Sequence, residues 1–428
     1  MSNELLLTGG LLWDGIADTF HPGDLGICDG RFVSPATLKH PETIDLSGLL
    51  VCPGFIDLHV HLREPGQTWK ETIRTGTLAA RKGGFTTIVS MPNTIPPIDT
   101  PERLQELESM LAKDAAVRVV PSVCLTRDRA GHEPVDVPRI NQLHPHWVYS
   151  DDGTTPQDAD VMRRVMRAVA AVGGVVIDHC EDKRLSAGGV MHEGRLSAAL
   201  GLKGQPRSAE ESIVQRDIAL CRETGCRLHL QHLSSAGSVE LLRHAQEEGL
   251  PVTGEVTPHH LLLTDEACTR YGTNAKMAPP LREESDRLAL IDAVRTGIIT
   301  AIASDHAPHT REEKAQGWEK APFGISGIEA EVPLTLTELV SRQNLPLATV
   351  LKCFTMGPRQ ILGWSGTPFA EGEPADATIL DIHAVPYPIR VADFLSMGKN
   401  CPYDGMESRF RVHSVLLAGK LTIHPNTP

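Results

Sequence analysis

No stretch of the 428-residue chain approaches the ~18 uninterrupted apolar residues that a membrane-spanning helix needs, which excludes such a helix. The first ten residues lack the basic start and long apolar core of a secretion signal. Basic charge is not in surplus. Lys and Arg number 41 against 54 Asp and Glu, a formal net charge of -13. That argues against a nucleic-acid or anionic-membrane surface and leaves a local basic pocket open. No Cys-x-x-Cys occurs, and nine cysteines are an odd number. Several, such as Cys52 and Cys124, sit inside apolar runs, so they read as buried free thiols in a reducing cytoplasm. No internal repeat or low-complexity segment is visible. What is present is an ordinary globular composition, 41% hydrophobic and 22% charged, in a chain long enough for a large core and more than one domain. The count of 19 histidines is high, and it directs attention to metal chemistry.

The chain is organised around residues 51–63. An apolar run ends there in His59, Val60, His61, Leu62 and Arg63. Side chains alternate faces along a β-strand, so His59, His61 and Arg63 point one way and Val60 and Leu62 the other. Two imidazoles on one face at the end of a hydrophobic strand make half of a metal site. A cation two residues on is placed to hold an anionic substrate.

Residues 1–50 are β-like, with strands expected at 4–7, 24–28 and 43–46. From about residue 52, strand-like and helix-like runs alternate. Strands are expected at 55–61, 86–91, 117–123, 147–150, 175–179, 227–232, 252–256 and 300–304. Helices are expected at 71–82, 101–113, 159–171, 209–224, 238–247 and 284–296. Eight strands, most followed by a helix, predict an α/β fold of the (β/α)8 barrel type rather than an open doubly wound sheet. From about residue 365 the pattern returns to turns and strands, including a hairpin at 412–424. The expected organisation is residues 1–52 and 365–428 joined in a small β-sandwich, flanking a barrel at 53–364.

In such a barrel reactive groups sit at the C-terminal strand ends. Strand 1 ends with His59 and His61, strand 2 with Asn93, strand 4 with Asp151 and Asp152, strand 5 with His179 and Glu181, strand 6 with His232, and strand 8 with Asp305, His306 and His309. Imidazoles with hard carboxylates and no thiolate cluster suit zinc. Four histidines and two aspartates exceed what one tetrahedral zinc takes, and they suit two metals about 3.5–4 Å apart. Other histidines are set aside. His144 and His146 precede strand 4 and are expected in a surface loop. His229, three residues before His232, is expected on the opposite face of its strand. His259 and His260 are weaker candidates, and His306 is the less favoured neighbour of Asp305.

These motifs resemble the amidohydrolase superfamily and, within it, the dihydroorotases of the longer bacterial type. The resemblance runs along most of the barrel: Pro53-Gly-Phe-Ile-Asp-Leu-His-Val-His-Leu-Arg-Glu-Pro-Gly66, then residues 84–94, Asp178-His-Cys-Glu-Asp182, 257–261, 279–282, Ser304-Asp-His-Ala-Pro-His-Thr310 and 321–325. It implies that His59, His61 and Asp305 bind one zinc, that His179 and His232 bind a second, and that Asp152, directly before Gly153, bridges them. It implies reversible hydrolysis of dihydroorotate to N-carbamoyl-aspartate, a step of pyrimidine biosynthesis. Asp305 would move the proton, and Arg63, Asn93 and His309 would hold the substrate carboxylate. Phe323 and Gly324 resemble backbone contacts to the substrate ring, at the end of a stretch, 311–323, that looks like a mobile loop. Relatives such as hydantoinases and allantoinases bridge their metals with a lysine on strand 4, and residues 147–153 contain none. One departure is Ala278, where the family often has a substrate-contacting Asn; Asn274 or backbone groups are the alternatives. A hydantoinase-like enzyme and a non-catalytic scaffold for aspartate carbamoyltransferase are the competing functions. The intact ligand set disfavours the scaffold. Homodimerisation and association with aspartate carbamoyltransferase stay open.

Overall fold

The apolar run beginning at Leu50 builds two strands, Leu50–Pro53 and Phe55–Val60, with Gly54 as the corner between them. A Cβ at Gly54 would lie 2.2 Å from Thr86 Oγ1, so only glycine lets the chain pass that close to its neighbour. The computed structural model describes residues 4–143, 145 and 148–424.

Phe55–Val60 is strand 1 of a closed ring. It pairs in parallel with Phe85–Ser90, which pairs with Arg118–Pro121. Val148–Tyr149, Val175–Asp178, Arg227–Leu230, Val252–Val256 and Ala301–Ile302 follow, each parallel to the next. Single bridges from Val123 to Tyr149 and from Val60 to His306 close the circle between strands 3 and 4 and between strands 8 and 1. This is the expected (β/α)8 barrel. Its helices start where side-chain oxygens accept from otherwise unpaired backbone N–H groups: Thr72, Thr100, Asp158 and Ser235 each cap one. The helix Ala159–Ala171 buries Val161, Met162, Val165, Met166 and Val169, a stripe at helical spacing.

Two apolar layers result. Phe55, Val60, Phe85 and Ile88 pack outward against helix residues such as Ile73 and Leu104. Ile56, Leu58, Val89, Ile177 and Ala303 form a second cluster with Ile361 and Leu362. Between Asp57 and Val60 the register against strand 2 slips by one residue. Such a bulge re-aims side chains locally. Leu58 joins the second apolar cluster, and the next residue, His59, turns to the polar site.

Leu50–Pro53 pairs on one side with Glu4–Leu12 and on the other with Ala377–Asp381. The two ends of the chain thus share one eight-stranded sheet, enclosing Leu7, Ile27, Phe32, Val51, Ile379 and Leu416.

Some details differ from expectation. A two-stranded parallel pair, Met191–His192 with Gly204–Gln205, was not foreseen, because each strand is too short to show alternation. Strand 3 is shorter than expected, ending at Pro121, which cannot donate to the ladder. Trp147, expected to open strand 4, and His144 and His146 lie outside the described residues. The segment 311–323 holds two short helices, Arg311–Lys314 and Gly317–Lys320. It is pinned by the buried Lys314, whose Nζ donates to the carbonyls of Lys276, Pro322 and Gly324. Gly54→Ala is expected to lower unfolding free energy by about 1–3 kcal/mol through overpacking against Thr86, read as a lower thermal midpoint.

Candidate metal centre

The site residues gather at one end of the barrel because each follows a strand at its C-terminal end. A cavity of about 230 Å³ opens there, lined by His61, Arg63, Asn93, Asp152, His179, His232, Asp305, His309, Phe323 and Gly324. His59 lies beneath it, fully buried. Ala278 is on the wall, and Asn274 is not among the lining residues.

Three site residues adopt left-handed backbone: Arg63 at φ 60°, His232 at φ 32° and Asp305 at φ 43°. Residues with a Cβ rarely do so, at a cost of order 1–3 kcal/mol each. The turn at His232 also corrects one expectation. Plain alternation placed His229 on the face opposite His232. Instead the chain leaves its extended course at His232, and both imidazoles point inward. His229 Nε2 lies 3.1 Å from Glu255 Oε2 inside the barrel.

The remaining geometry is tight. His59 Nε2 is 3.2 Å from Asp152 Oδ1 and 3.4 Å from Asp305 Oδ1. His61 Nε2 is 3.0 Å from Asp305 Oδ1 and 3.5 Å from Asp152 Oδ2. His179 Nδ1 is 2.8 Å from His232 Nε2 and 3.7 Å from Asp152 Oδ1. The His61–Asp305 and His179–His232 contacts are hydrogen bonds, but His59 Nε2 is buried and meets neither carboxylate in hydrogen-bonding geometry. Donor atoms of His59, His61 and Asp305, and of His59, Asp152 and His232, lie within 4.8 Å of one another. Imidazole nitrogens and hard carboxylates aimed at a common point fit a divalent metal.

Outer partners fix the rings. His59 Nδ1 is 3.1 Å from Glu255 Oε1. His61 Nδ1 is 3.0 Å from Asn93 Oδ1, and Asn93 Nδ2 donates to Asp152 Oδ2 at 2.9 Å. His179 Nε2 is 2.9 Å from Glu181 Oε2. A ring nitrogen bonded to an outer acceptor leaves the other free to coordinate. Glu255 was not anticipated, although a lone carboxylate inside the apolar strand Val252–Val256 is the signal that marks it. Of the weaker candidates, His260 is bonded to Thr257 Oγ1 and the Pro279 carbonyl. His306 turns away to Glu71 and the Gly327 N–H. His259 is buried with neither ring nitrogen bonded.

Burial pushes the Asp152 and Asp305 carboxyls up, but His59 and His61 beside them outweigh it and hold both below the usual carboxylate range. Burial, then His179 and His59, push His232 down to about 3. Burial and then Arg63 lower His61. His59 goes the other way: burial works to lower it, and Asp152 with Asp305 outweigh that and raise it. Anionic aspartates and neutral imidazoles are the states in which these groups coordinate a metal. Burial lowers Arg63 to about 10, which leaves it cationic at neutral pH.

At the rim, Arg63 Nε donates to the Pro308 carbonyl, and its Nη2 is 3.3 Å from His309 Nε2. His309 Nε2 also lies 2.8 Å from the Phe323 carbonyl. The backbone of Gly324 is already engaged: its N–H donates to the Lys276 carbonyl, and its own carbonyl accepts from Lys314 and Asn400.

A closed (β/α)8 barrel with this ligand set and a flanking sheet defines a metal-dependent cyclic amidohydrolase. The solved L-hydantoinase (dihydropyrimidinase) from Arthrobacter aurescens superposes with a TM-score of 0.89 at 26% identity, covering 100% of this chain and 97% of that one. The dihydropyrimidinase from Brevibacillus agri NCHU1002 shares the fold at a TM-score of 0.86 and 22% identity, over 98% and 95% of the two chains. The family model described as Dihydro-orotase-like matches residues 48–238. The dihydroorotase of Pelotomaculum thermopropionicum is 43% identical over 424 residues, 98% of each chain. That of Bacillus thuringiensis is 42% identical over 401 residues, 93% of each. The chain belongs to the dihydroorotase family.

Glu255→Gln is expected to weaken metal affinity about 10–100-fold, measured by competition with a chelator.

Proposed function

We propose that this chain is a dihydroorotase, interconverting N-carbamoyl-L-aspartate and L-dihydroorotate in de novo pyrimidine biosynthesis. The observation that carries the reading is the single cavity that joins the histidine–aspartate cluster to Arg63 and His309. It unites a centre for cyclic-amide chemistry with a cationic seat for a carboxylated substrate. The absence of lysine from residues 147–153, the strand-4 segment where hydantoinases and allantoinases carry a bridging lysine, supports the same choice.

The centre is assigned two zinc ions per chain. His59, His61 and Asp305 would hold one, His179 and His232 the other, with Asp152 shared between them. When bound, such a pair supplies Lewis-acid polarisation of the amide carbonyl and lowers the pKa of water towards neutrality. The protein's own groups do the rest. Arg63 seats the carboxylate common to both substrates with charge-assisted hydrogen bonds, and His309 and Asn93 stand beside it. Asp305, held as an anion, takes the proton of the attacking water during hydrolysis and returns it to the leaving ring nitrogen. In ring closure it accepts the proton from the carbamoyl nitrogen as the new C–N bond forms, and that proton, with one taken up from solvent, leaves with a carboxylate oxygen as water. The Phe323–Gly324 turn closes the wall against the ring. A Cβ at Gly324, at φ 125°, would lie 2.6 Å from Ala307 Cβ.

Residues 53–364 are assigned as the catalytic unit, with 1–52 and 365–428 as its supporting sheet. All nine cysteines are unpaired, eight of them buried, which supports a cytoplasmic location.

The test is metal content measured together with carbamoyl-aspartate cyclisation. Two zinc ions per chain with no ring closure, or faster hydrolysis of hydantoin than of dihydroorotate, would overturn the reading. Asp305→Ala is expected to abolish turnover while the circular dichroism spectrum stays unchanged. Arg63→Ala is expected to raise KM for both substrates about 10–100-fold, the cost of a lost charge-assisted pair.

A further inference from the structure

His309 and Gly324 face the substrate cavity from different stretches of chain, and both are tied to one residue outside that cavity. Asn400 lies in the C-terminal segment, 91 positions beyond His309, and is buried. It is not among the residues lining the cavity. Its side-chain carbonyl accepts from the His309 backbone N–H at 3.0 Å and from the Ser326 hydroxyl at 2.8 Å. Its amide nitrogen donates to the Ala307 carbonyl at 3.0 Å and to the Gly324 carbonyl at 3.1 Å. A carboxamide has two N–H donors and an oxygen with two lone pairs. All four places are filled, and the partners fix which end is nitrogen. The Asn400 backbone carbonyl accepts a further bond, from the Ser326 N–H at 2.9 Å.

The segment that carries Asn400 is itself held. The N–H groups of Leu395 and Ser396 donate to the Glu329 carboxylate at 2.9 and 3.1 Å, and the Ser396 hydroxyl donates to Glu71. A Cβ at Gly398 would lie 2.9 Å from Pro308 Cα, so only glycine lets this segment approach the His309 loop so closely.

We propose that Asn400 is a positioning residue of the substrate site, its one amide setting the distance between His309, beside the substrate carboxylate, and Gly324, beside the ring. The assignment rests on the dihydroorotase reading and deepens it. The groups that Asn400 spaces hold substrate and transition state alike, so its loss weakens binding rather than the chemical step. The C-terminal segment then completes the substrate site as well as the terminal sheet.

The experiment uses the full chain loaded with zinc. Wild-type protein is assayed first in both directions, and absence of interconversion there defeats the reading of function rather than this assignment. Asn400→Ala is expected to raise KM for carbamoyl-aspartate and for dihydroorotate about tenfold each. In each direction kcat changes less than about twofold, as when uniform binding is lost. Zinc content matches wild type. Asn400→Asp keeps the shape and the acceptor oxygen and loses the two N–H donors. It is expected to raise both KM values by a smaller factor, and it alone decides if Asn400→Ala does not fold. A lower thermal midpoint with both KM values unchanged makes Asn400 a structural residue only and overturns the proposal. Loss of zinc, or a fall in kcat with KM unchanged, also overturns it, by placing the effect at the histidine–aspartate centre.

Discussion

Asp152 and Asp305 are anions taken out of water, and the site is built around offsetting that cost. An unpaired buried carboxylate is penalised by several kcal/mol. Here the imidazoles of His59 and His61 stand against both carboxylates and hold them ionised. His59, His61 and His179 are steadied in turn by Glu255, Asn93 and Glu181 respectively. Each layer supplies the partner that the layer inside it lacks, and the pattern ends at the surface with Lys183. A metal ion at the centre completes the arrangement, because it provides positive charge where His59 Nε2 and the carboxylates now face one another without a hydrogen bond.

Barrel closure makes that arrangement possible. The strands that carry the cluster range from two residues to six in length, yet parallel pairing brings all their C-terminal ends to one rim. Where the regular geometry would misdirect a side chain, the backbone departs from it. A register slip re-aims His59, and left-handed turns place Arg63, His232 and Asp305. The strain in those turns is sustained by the pairing on either side, such as the bridge from Val60 to His306, next to Asp305.

The barrel and its rim were legible because they rest on two robust periodicities: apolar runs alternating with amphipathic helices, and polar residues closing each run. The motif residues followed, since His59, His61, Asp152, His179, His232 and Asp305 all stand at such ends. What escaped was set by contacts between distant strands. Glu255 acts on His59, nearly 200 positions away, and the lone carboxylate in Val252–Val256 marks it as unusual without naming that partner. The inward turn of His229 was hidden because alternation holds only while a strand stays extended, and the break falls at His232. The engagement of the Gly324 backbone by Lys276, Lys314 and Asn400 likewise depends on segments the local pattern does not connect.

The shared terminal sheet has a consequence for the order of events during synthesis. Every residue of the histidine–aspartate cluster, through Asp305, emerges from the ribosome before Ala377–Asp381 does. Until that strand arrives, Leu50–Pro53 has an unfilled edge on the side it will occupy, and this segment runs through Gly54 straight into the strand carrying His59. Contacts spanning more than 300 residues form late, because they require the intervening chain to be ordered first. The nascent barrel therefore holds the whole histidine–aspartate cluster while Leu50–Pro53, which leads into its first strand, is still paired on one side only.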